Sequence, residues 1–180
     1  MSENQGSSAF TAEELEALTV KQMRDLQEWL RKLVGRKKIA LNRLDAILKQ
    51  LESRRKDAIK SAAGISMLKG HIPLLPVIGK NILGILLQLE MVGNGKAVHA
   101  DFNPAKIYDV VKAPDGCYWL IDVEDGRETL EKSPNKAEAL IKEQKRSGLM
   151  VAETIALGAH TALRHCVDAL GSRYNIDGCV

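Results

Sequence analysis

The sequence predicts a mixed α/β protein, either α/β or α+β, in which a small mixed sheet packs with helices behind an N-terminal helical hairpin. Apolar residues recur every three or four positions over residues 11–60, which is typical of amphipathic helices. Two short runs, 72–78 and 117–123, are rich in β-branched, leucine or aromatic residues and indicate buried strands. With 180 residues and 45% apolar content, the chain can bury one good core.

The first helix has a recognisable start and end. Residues 1–10 are small and polar, and we predict a disordered tail there. Thr11 and Glu14 have the spacing of a capping box, in which the hydroxyl accepts from a first-turn amide and the carboxylate reaches back to the cap. Gly35 is a natural end for this helix.

A second apolar stripe starts at Leu41 and predicts a helix over about 37–60. Two amphipathic helices joined by a short glycine turn are expected to pack as an antiparallel hairpin over residues 11–62. One continuous bent helix is the alternative. Residues 61–69 have a looser pattern that is typical of a linker, so we place a domain boundary before an α/β domain at 70–180.

The run at 72–78 organises the α/β domain. Pro73 and Pro76 each remove a backbone donor, so this strand is expected to pair on one side only. The other predicted elements are a helix over 82–92 capped by Asn81, an extended piece at 107–111, the strand at 117–123, helices over 134–146 and 151–165, and a strand at 166–174 before a turn at 175–178.

Basic charge is concentrated in the second predicted helix and the turn before it. Residues 31–60 carry eleven basic and three acidic side chains. One interpretation is a surface that contacts phosphates, because clustered Lys and Arg displace condensed counterions from nucleic acid or another polyanion; the other is an ordinary solvated helix face. The candidate nucleic-acid contacts are Arg36, Lys37, Lys38, Arg43, Lys49, Arg54, Arg55 and Lys56.

Acidic residues at the end of the second strand form the candidate chemical site. Strand ends in open α/β sheets present side chains to a cleft, and carboxylates at alternate positions suit a hard cation such as magnesium. Asp122, Glu124 and Asp125 are the candidate ligands, with metal-assisted hydrolysis as the alternative function. The simpler interpretation is an acidic turn that caps the next element, because no second carboxylate cluster accompanies these residues.

Other reactive residues predict no catalytic site. His160 and His165 lie five positions apart, unlike the four-residue spacing of zinc-binding helices. Cys166 follows His165 in the sequence, but a nucleophile and its base need spatial contact. The segment from Gly93 to Lys96 lacks the full glycine spacing of a phosphate loop. We therefore expect a binding or scaffold module rather than an enzyme.

Cysteine usage and hydropathy indicate the compartment. Cys117, Cys166 and Cys179 are odd in number and far apart, which argues against a disulfide framework. The start of the chain has no secretory-signal pattern, and the longest apolar stretch, 72–92, is interrupted by proline, glycine and charged residues. We expect a cytoplasmic protein with no membrane partner.

Two parts of the chain resemble known families. The runs His-Ile-Pro-Leu-Leu-Pro-Val from His71, Leu-Ile-Asp-Val-Glu-Asp-Gly from Leu120 and Leu-Gly-Ser-Arg from Leu170 resemble bacterial proteins known only as a domain of unknown function, over residues 71–180. This resemblance implies an α/β domain and no particular activity. The family continues into a further Trp- and His-containing segment, so we expect the 70–180 domain to be incomplete at its C-terminus. Residues 18–44 resemble the start of a SAP-type DNA-binding helix–turn–helix.

Self-association is expected for two reasons. An unfinished hairpin after residue 178 leaves the strand at 166–174 with unpaired amides and carbonyls, which readily pair with another chain. The leucine stripes of the helical hairpin are a second surface that is wide enough to bury against a copy of itself. Both routes favour a homo-oligomer, and a symmetric dimer in particular.

Overall fold

The computed structural model describes residues 7–68, 70–90, 103–161 and 169–174. The helices are α1 (Ala12–Gly35), α2 (Leu41–Ala62), α3 (Ile85–Leu89), α4 (Pro134–Glu143) and α5 (Val151–His160). The strands are β1 (Ser7–Ala9), β2 (Ser66–Leu68), β3 (Ile72–Ile78), β4 (Ile107–Asp109), β5 (Cys117–Val123) and β6 (Ser172–Tyr174).

The mixed α/β class with an N-terminal helical hairpin is confirmed. The described strands form three two-stranded antiparallel pairs, β1–β2, β3–β5 and β4–β6, instead of one small mixed sheet. The chain divides into two compact units: the first contains α1, α2, β1, β2, β3 and β5, and the second contains α3, α4, α5, β4 and β6. This division differs from the expected boundary near 62–70, because β3 and β5 belong to the unit of the helical hairpin.

Helix α1 begins at its predicted cap. Thr11 Oγ1 accepts a hydrogen bond from Glu14 N at 3.2 Å, and Glu14 Oε2 accepts one from Thr11 N at 2.8 Å. These bonds satisfy amides that have no partner within the helix. The bond from the Thr11 amide, followed by the bond from its hydroxyl, lowers the pKa of Glu14 below its ordinary value.

The two long helices form a hairpin and not one continuous helix. α1 ends at Gly35, as predicted, and α2 begins at Leu41 after a short turn. Most residues of both leucine stripes are buried in the first unit, where the helices pack on each other and on β3 and β5, whereas Leu41 at the start of the second stripe is exposed. The buried stripe residues are Leu15, Leu26, Leu30, Leu33, Leu44, Ile47 and Leu51.

Side chains of the hairpin bond to the outer edges of the β3–β5 pair. On β3, Leu74 O accepts a hydrogen bond from Gln22 Nε2 of α1 at 2.9 Å. On β5, Cys117 N donates to Gln50 Oε1 at 2.9 Å, and Cys117 O accepts from Arg54 Nη1 at 2.7 Å. Since Gln50 and Arg54 belong to α2, each strand edge is bonded by a different helix.

The prolines of β3 fit this one-sided pairing. Successive residues of an antiparallel strand alternate between bonding the partner strand and facing away from it. The backbone groups of Leu74 face away from β5, because its carbonyl bonds to α1. Pro76 lies two residues further along and faces the same way, so its missing amide costs no hydrogen bond to β5. The backbone of Pro73 faces β5, and Pro73 lies across from Asp122. These two residues are not paired, although the residues on both sides of them are. Among the described strands β3 pairs only with β5, which confirms the prediction.

Part of the predicted tail and of the predicted linker forms a strand pair. β1 pairs antiparallel with β2, and Phe10 O accepts a hydrogen bond from Gly64 N at 3.2 Å. Residues 7–9 therefore form a strand where a disordered tail was expected, and the segment 61–69 contains β2. The difference arises because the two paired segments are far apart in the sequence, and local composition does not predict such pairing.

The second unit confirms several predicted elements with shorter bounds. α4 and α5 lie inside the predicted helices at 134–146 and 151–165, α3 covers part of 82–92, and β4 begins the predicted extended piece. The predicted turn at 175–178 and the segments 91–102 and 162–168 lie outside the described residues. In the part of the chain that is described, no helix has both the length and the apolarity needed to cross a membrane.

Two glycines allow a close approach of chain segments in the second unit. Gly171 N donates to Leu149 O at 2.8 Å, and Gly171 O accepts from Val110 N at 2.9 Å. A Cβ atom on Gly171 would overlap Gly148 O. The Leu-Gly-Ser-Arg run therefore needs glycine at its second position so that β6 can follow this contact.

Deleting residues 1–62 is expected to abolish the cooperative unfolding of the β3–β5 pair, whereas the second unit keeps its own internal contacts. The deletion uncovers buried β3 residues such as Leu74, Leu75 and Val77 and removes the partners of both strand edges. An isolated two-stranded pair is marginally stable at best in water. Urea unfolding followed by the fluorescence of Trp119 on β5, which is the one tryptophan left after the deletion, measures the effect, with a deletion of residues 1–6 as the control. A cooperative transition of Trp119 in the chain without residues 1–62 would show that the hairpin is a separable domain.

The capping box predicts an acid-dependent contribution to stability. The pKa of Glu14 is lower in the folded chain than its ordinary value of 4.5, so this contribution is present above pH 4.5 and is lost as pH falls through the folded pKa. Glu14→Gln is expected to flatten the decline in stability below that pH. Urea unfolding at pH 7 and at pH 3 measures it, and an equal decline in both proteins would contradict the role of Glu14.

Candidate functional site

Among the predicted nucleic-acid contacts, Arg54 and Arg55 bond to other parts of the first unit. Arg54 bonds to the Cys117 carbonyl of β5. Arg55 has a side chain that is only 11% exposed, and it forms salt bridges with Glu52 of α2 at 3.0 Å and Glu16 of α1 at 2.5 Å. The hydrogen bond to Glu52, together with the one to Glu16, raises the pKa of Arg55 above its ordinary value. Arg54 and Arg55 therefore join elements of the fold.

The densest positive charge lies where α1 meets α2. We define residues 31–43 as the hairpin tip: they comprise the end of α1, the turn and the start of α2. The tip carries six basic and no acidic side chains. All of these basic residues are exposed: Arg31, Lys32, Arg36, Lys37, Lys38 and Arg43.

The turn at the tip is closed by backbone hydrogen bonds. Lys37 N donates to Val34 O and Lys38 N donates to Leu33 O, both at 2.9 Å. This pair of bonds is a Schellman motif, whose left-handed residue is usually glycine. Here that residue is Lys37, with φ 57. A side chain in this conformation costs about 1 kcal/mol or more, so the tip retains a lysine at some expense in stability.

Lys49 and Lys56 form a second and weaker basic group. They lie seven residues apart on α2, which is two helical turns, so they share one exposed face. Asp45, Glu52 and Asp57 are spread along the same stretch of α2. This part of α2 therefore has mixed charge, unlike the hairpin tip.

The predicted magnesium ligands do not converge. No group of three or more His, Cys, Asp or Glu side chains in the described ranges is placed to hold a metal ion. Asp122 instead faces a histidine, with its Oδ1 2.6 Å from His71 Nδ1, and Asp125 is buried. The described side chains therefore give no support to the metal site expected at Asp122, Glu124 and Asp125, which stays a prediction.

The His71–Asp122 pair is the notable polar contact at this strand end. The His71 side chain is 7% exposed, and its Nε2 is buried with no hydrogen-bond partner among the described residues. Asp122 has φ 57, a left-handed conformation that Asp tolerates better than most residues. It lies across from Pro73, which has no amide to donate to a ladder bond. Asp122 is therefore not paired with β3 at Pro73, and its carboxylate contacts His71 at the same point of the strand.

Sequence reasoning did not identify His71 as the partner of Asp122. The two predicted strands could have indicated this contact, because antiparallel pairing of 72–78 with 117–123 places residue 71 beside the end of the second strand. The pairing itself was not predicted, so the histidine and the carboxylate stayed separate.

A polar cluster in the second unit has a structural role. Ser172 Oγ donates to Asp109 Oδ1 at 2.6 Å and accepts from Val151 N at 3.1 Å. Asp109 Oδ2 also lies 2.7 Å from Lys80 Nζ. Because Ser172 is buried and both of its bonds are internal, the cluster fastens the β4–β6 pair to the start of α5.

The surfaces expected to mediate self-association are largely covered. Most residues of the leucine stripes are buried in the first unit, with Leu41 as an exposed exception. The described part of the strand predicted at 166–174 is β6, and it pairs with β4. Self-association itself is not tested by these contacts, and a homo-oligomer stays a prediction.

The folded chain is thus a mixed α/β protein in which a helical hairpin with a basic tip covers a two-stranded antiparallel pair. It belongs to a family of unknown function, DUF5701, whose family model matches residues 85–179, more than half of the chain. The match confirms the resemblance to a domain of unknown function over that segment. It does not extend to residues 18–44, and the resemblance to a SAP-type motif has no support. No curated protein and no solved structure matches the chain.

Replacing Asp122 is expected to destabilise the first unit. Asp122→Ala removes the acceptor of a buried histidine and leaves a residue with a Cβ atom at φ 57, which together cost about 1–3 kcal/mol. Asp122→Asn keeps an acceptor oxygen and tolerates the left-handed conformation, so its loss is expected to be smaller. Urea unfolding ranks the three proteins. Equal stability of wild type and Asp122→Ala would show that the contact with His71 has no net effect.

Proposed function

We propose that the protein is a binding module that contacts nucleic acid through the hairpin tip. The observation that carries the proposal is the set of six exposed basic side chains, with no acidic one, in residues 31–43. Such a cluster neutralises phosphates and releases condensed counterions, which is the main source of affinity in sequence-independent binding.

The closed turn supports this proposal. Backbone hydrogen bonds at Lys37 and Lys38 fix the path of the chain, so the charges are presented without a large loss of backbone entropy on binding. The left-handed Lys37 is a further indication, since glycine fits this conformation without strain. Residues held in strained conformations are found preferentially at functional sites.

The residues predicted from the sequence to contact phosphate do not all have the same role in this proposal. Arg36, Lys37, Lys38 and Arg43 belong to the tip and carry the proposal. Lys49 and Lys56 are auxiliary contacts, because their face has mixed charge. Arg54 and Arg55 form bonds within the first unit. A variant that reverses their charges would therefore lose binding because the fold is damaged.

Reversing two charges at the tip is expected to weaken binding of a 25-base-pair DNA duplex strongly. Wild-type affinity should fall as salt rises, with a log–log slope of about −0.9 for each phosphate contacted. The double variant Lys37→Glu with Lys38→Glu should show weaker binding and a shallower slope. Fluorescence anisotropy over a series of salt concentrations measures both quantities. The absence of binding by wild type at low salt would contradict the proposal.

Two control variants separate the tip from net charge and from folding. Lys112→Glu with Lys136→Glu changes exposed lysines of the second unit and alters net charge by the same amount; it should bind nearly as wild type. Lys37→Gly removes one charge and relieves the left-handed strain, so it should stabilise the chain by about 0.5–1 kcal/mol and still weaken binding. Equal loss of binding in both double variants would assign the effect to overall charge.

A further inference from the structure

An exposed leucine lies within the hairpin tip. Leu41 is 61% exposed, more than any other large apolar side chain described as exposed. It is the first residue of α2, with Lys38 before it and Arg43 after it. A single exposed leucine needs no explanation on most surfaces, but here it lies among six cations.

We propose that Leu41 is a wedge that enters between base pairs of duplex nucleic acid while the surrounding cations hold the phosphates. This inference rests on the proposed function and names its ligand as a duplex that is bent when bound. Proteins that bind the minor groove often combine Arg or Lys contacts with one apolar side chain inserted at a base step, which kinks the duplex by roughly 20–90°.

The structure around Leu41 keeps the side chain outside the core. Ile39 and Leu44, on either side of it in the sequence, are buried and anchor the turn and the first turn of α2. Ala40 O accepts hydrogen bonds from Arg43 N at 3.1 Å and Leu44 N at 3.4 Å, which fixes the start of the helix. An insertion at a base step needs a side chain that is held in place before binding, because that lowers the entropy lost on association.

A duplex fits these observations better than a lipid surface does. Interfacial membrane binding scales with buried apolar area and uses a whole apolar helix face. In the tip, Leu33 and Ile39 are buried and Val34 is half-buried, so Leu41 is its one large apolar side chain that is exposed. One side chain is enough for a base step.

The experiment measures bending and unstacking of a 25-base-pair duplex by the full chain. Energy transfer between dyes at the two ends reports the bend, and a 2-aminopurine base within the duplex reports unstacking as a rise in fluorescence. Leu41→Ala is the test variant, and Leu41→Met restores an apolar side chain of similar size. Val20→Ala is the matched control, since Val20 is 51% exposed on α1 outside the tip.

Wild type, Leu41→Met and Val20→Ala are expected to bend and unstack the duplex. Leu41→Ala is expected to lose both signals and to bind roughly tenfold more weakly, with the salt dependence of wild type. Two results would overturn the wedge and leave phosphate binding intact: binding by wild type without a bend, or an unchanged bend with Leu41→Ala. Binding to vesicles of anionic lipid that depends on Leu41, without duplex bending, would assign the tip to lipid. Absence of duplex binding by wild type would remove the proposed function and the wedge together.

Discussion

The first unit depends on hydrogen bonds between helix side chains and the two open edges of the β3–β5 pair. A pair of strands has an outer edge on each side, and buried backbone groups there are costly when they lack partners. Gln22 of α1 bonds to one edge, and Gln50 and Arg54 of α2 bond to the other. The two strands also cover most residues of the leucine stripes of the helices. The hairpin is therefore part of the core and not an appendage to it.

This arrangement divides the basic residues of the hairpin by role. Arg54 bonds to β5, and Arg55 links α1 to α2 through carboxylates, so both are committed to the fold. The cations that remain exposed without intervening acids lie at the tip, beyond the last buried leucines. The basic charge of residues 31–60 thus includes side chains that join elements of the fold, and the tip is the part of this segment that combines six exposed cations with no acidic residue.

The family segment and the compact units do not coincide. The match over residues 85–179 contains the described elements of the second unit and also β5, but β3, the only described strand that pairs with β5, precedes it. Helix α2, which bonds to β5, also lies outside the matched segment. The function proposed for the hairpin tip therefore concerns a part of this chain that the family model does not describe.

The sequence alone determined the features that depend on neighbouring residues. These are the capping box at Thr11, the end of α1 at Gly35, the strand at 72–78 and its one-sided pairing, which follows from missing amides at fixed positions. Tertiary structure decided the features that depend on partners far along the chain. It paired residues 7–9 with 66–68, turned Asp122 toward His71, and gave Arg54 and Arg55 internal partners. The physical reason is that a polar group has many candidate partners of equal chemistry in the sequence, and only the packing of the chain brings one of them within hydrogen-bonding distance.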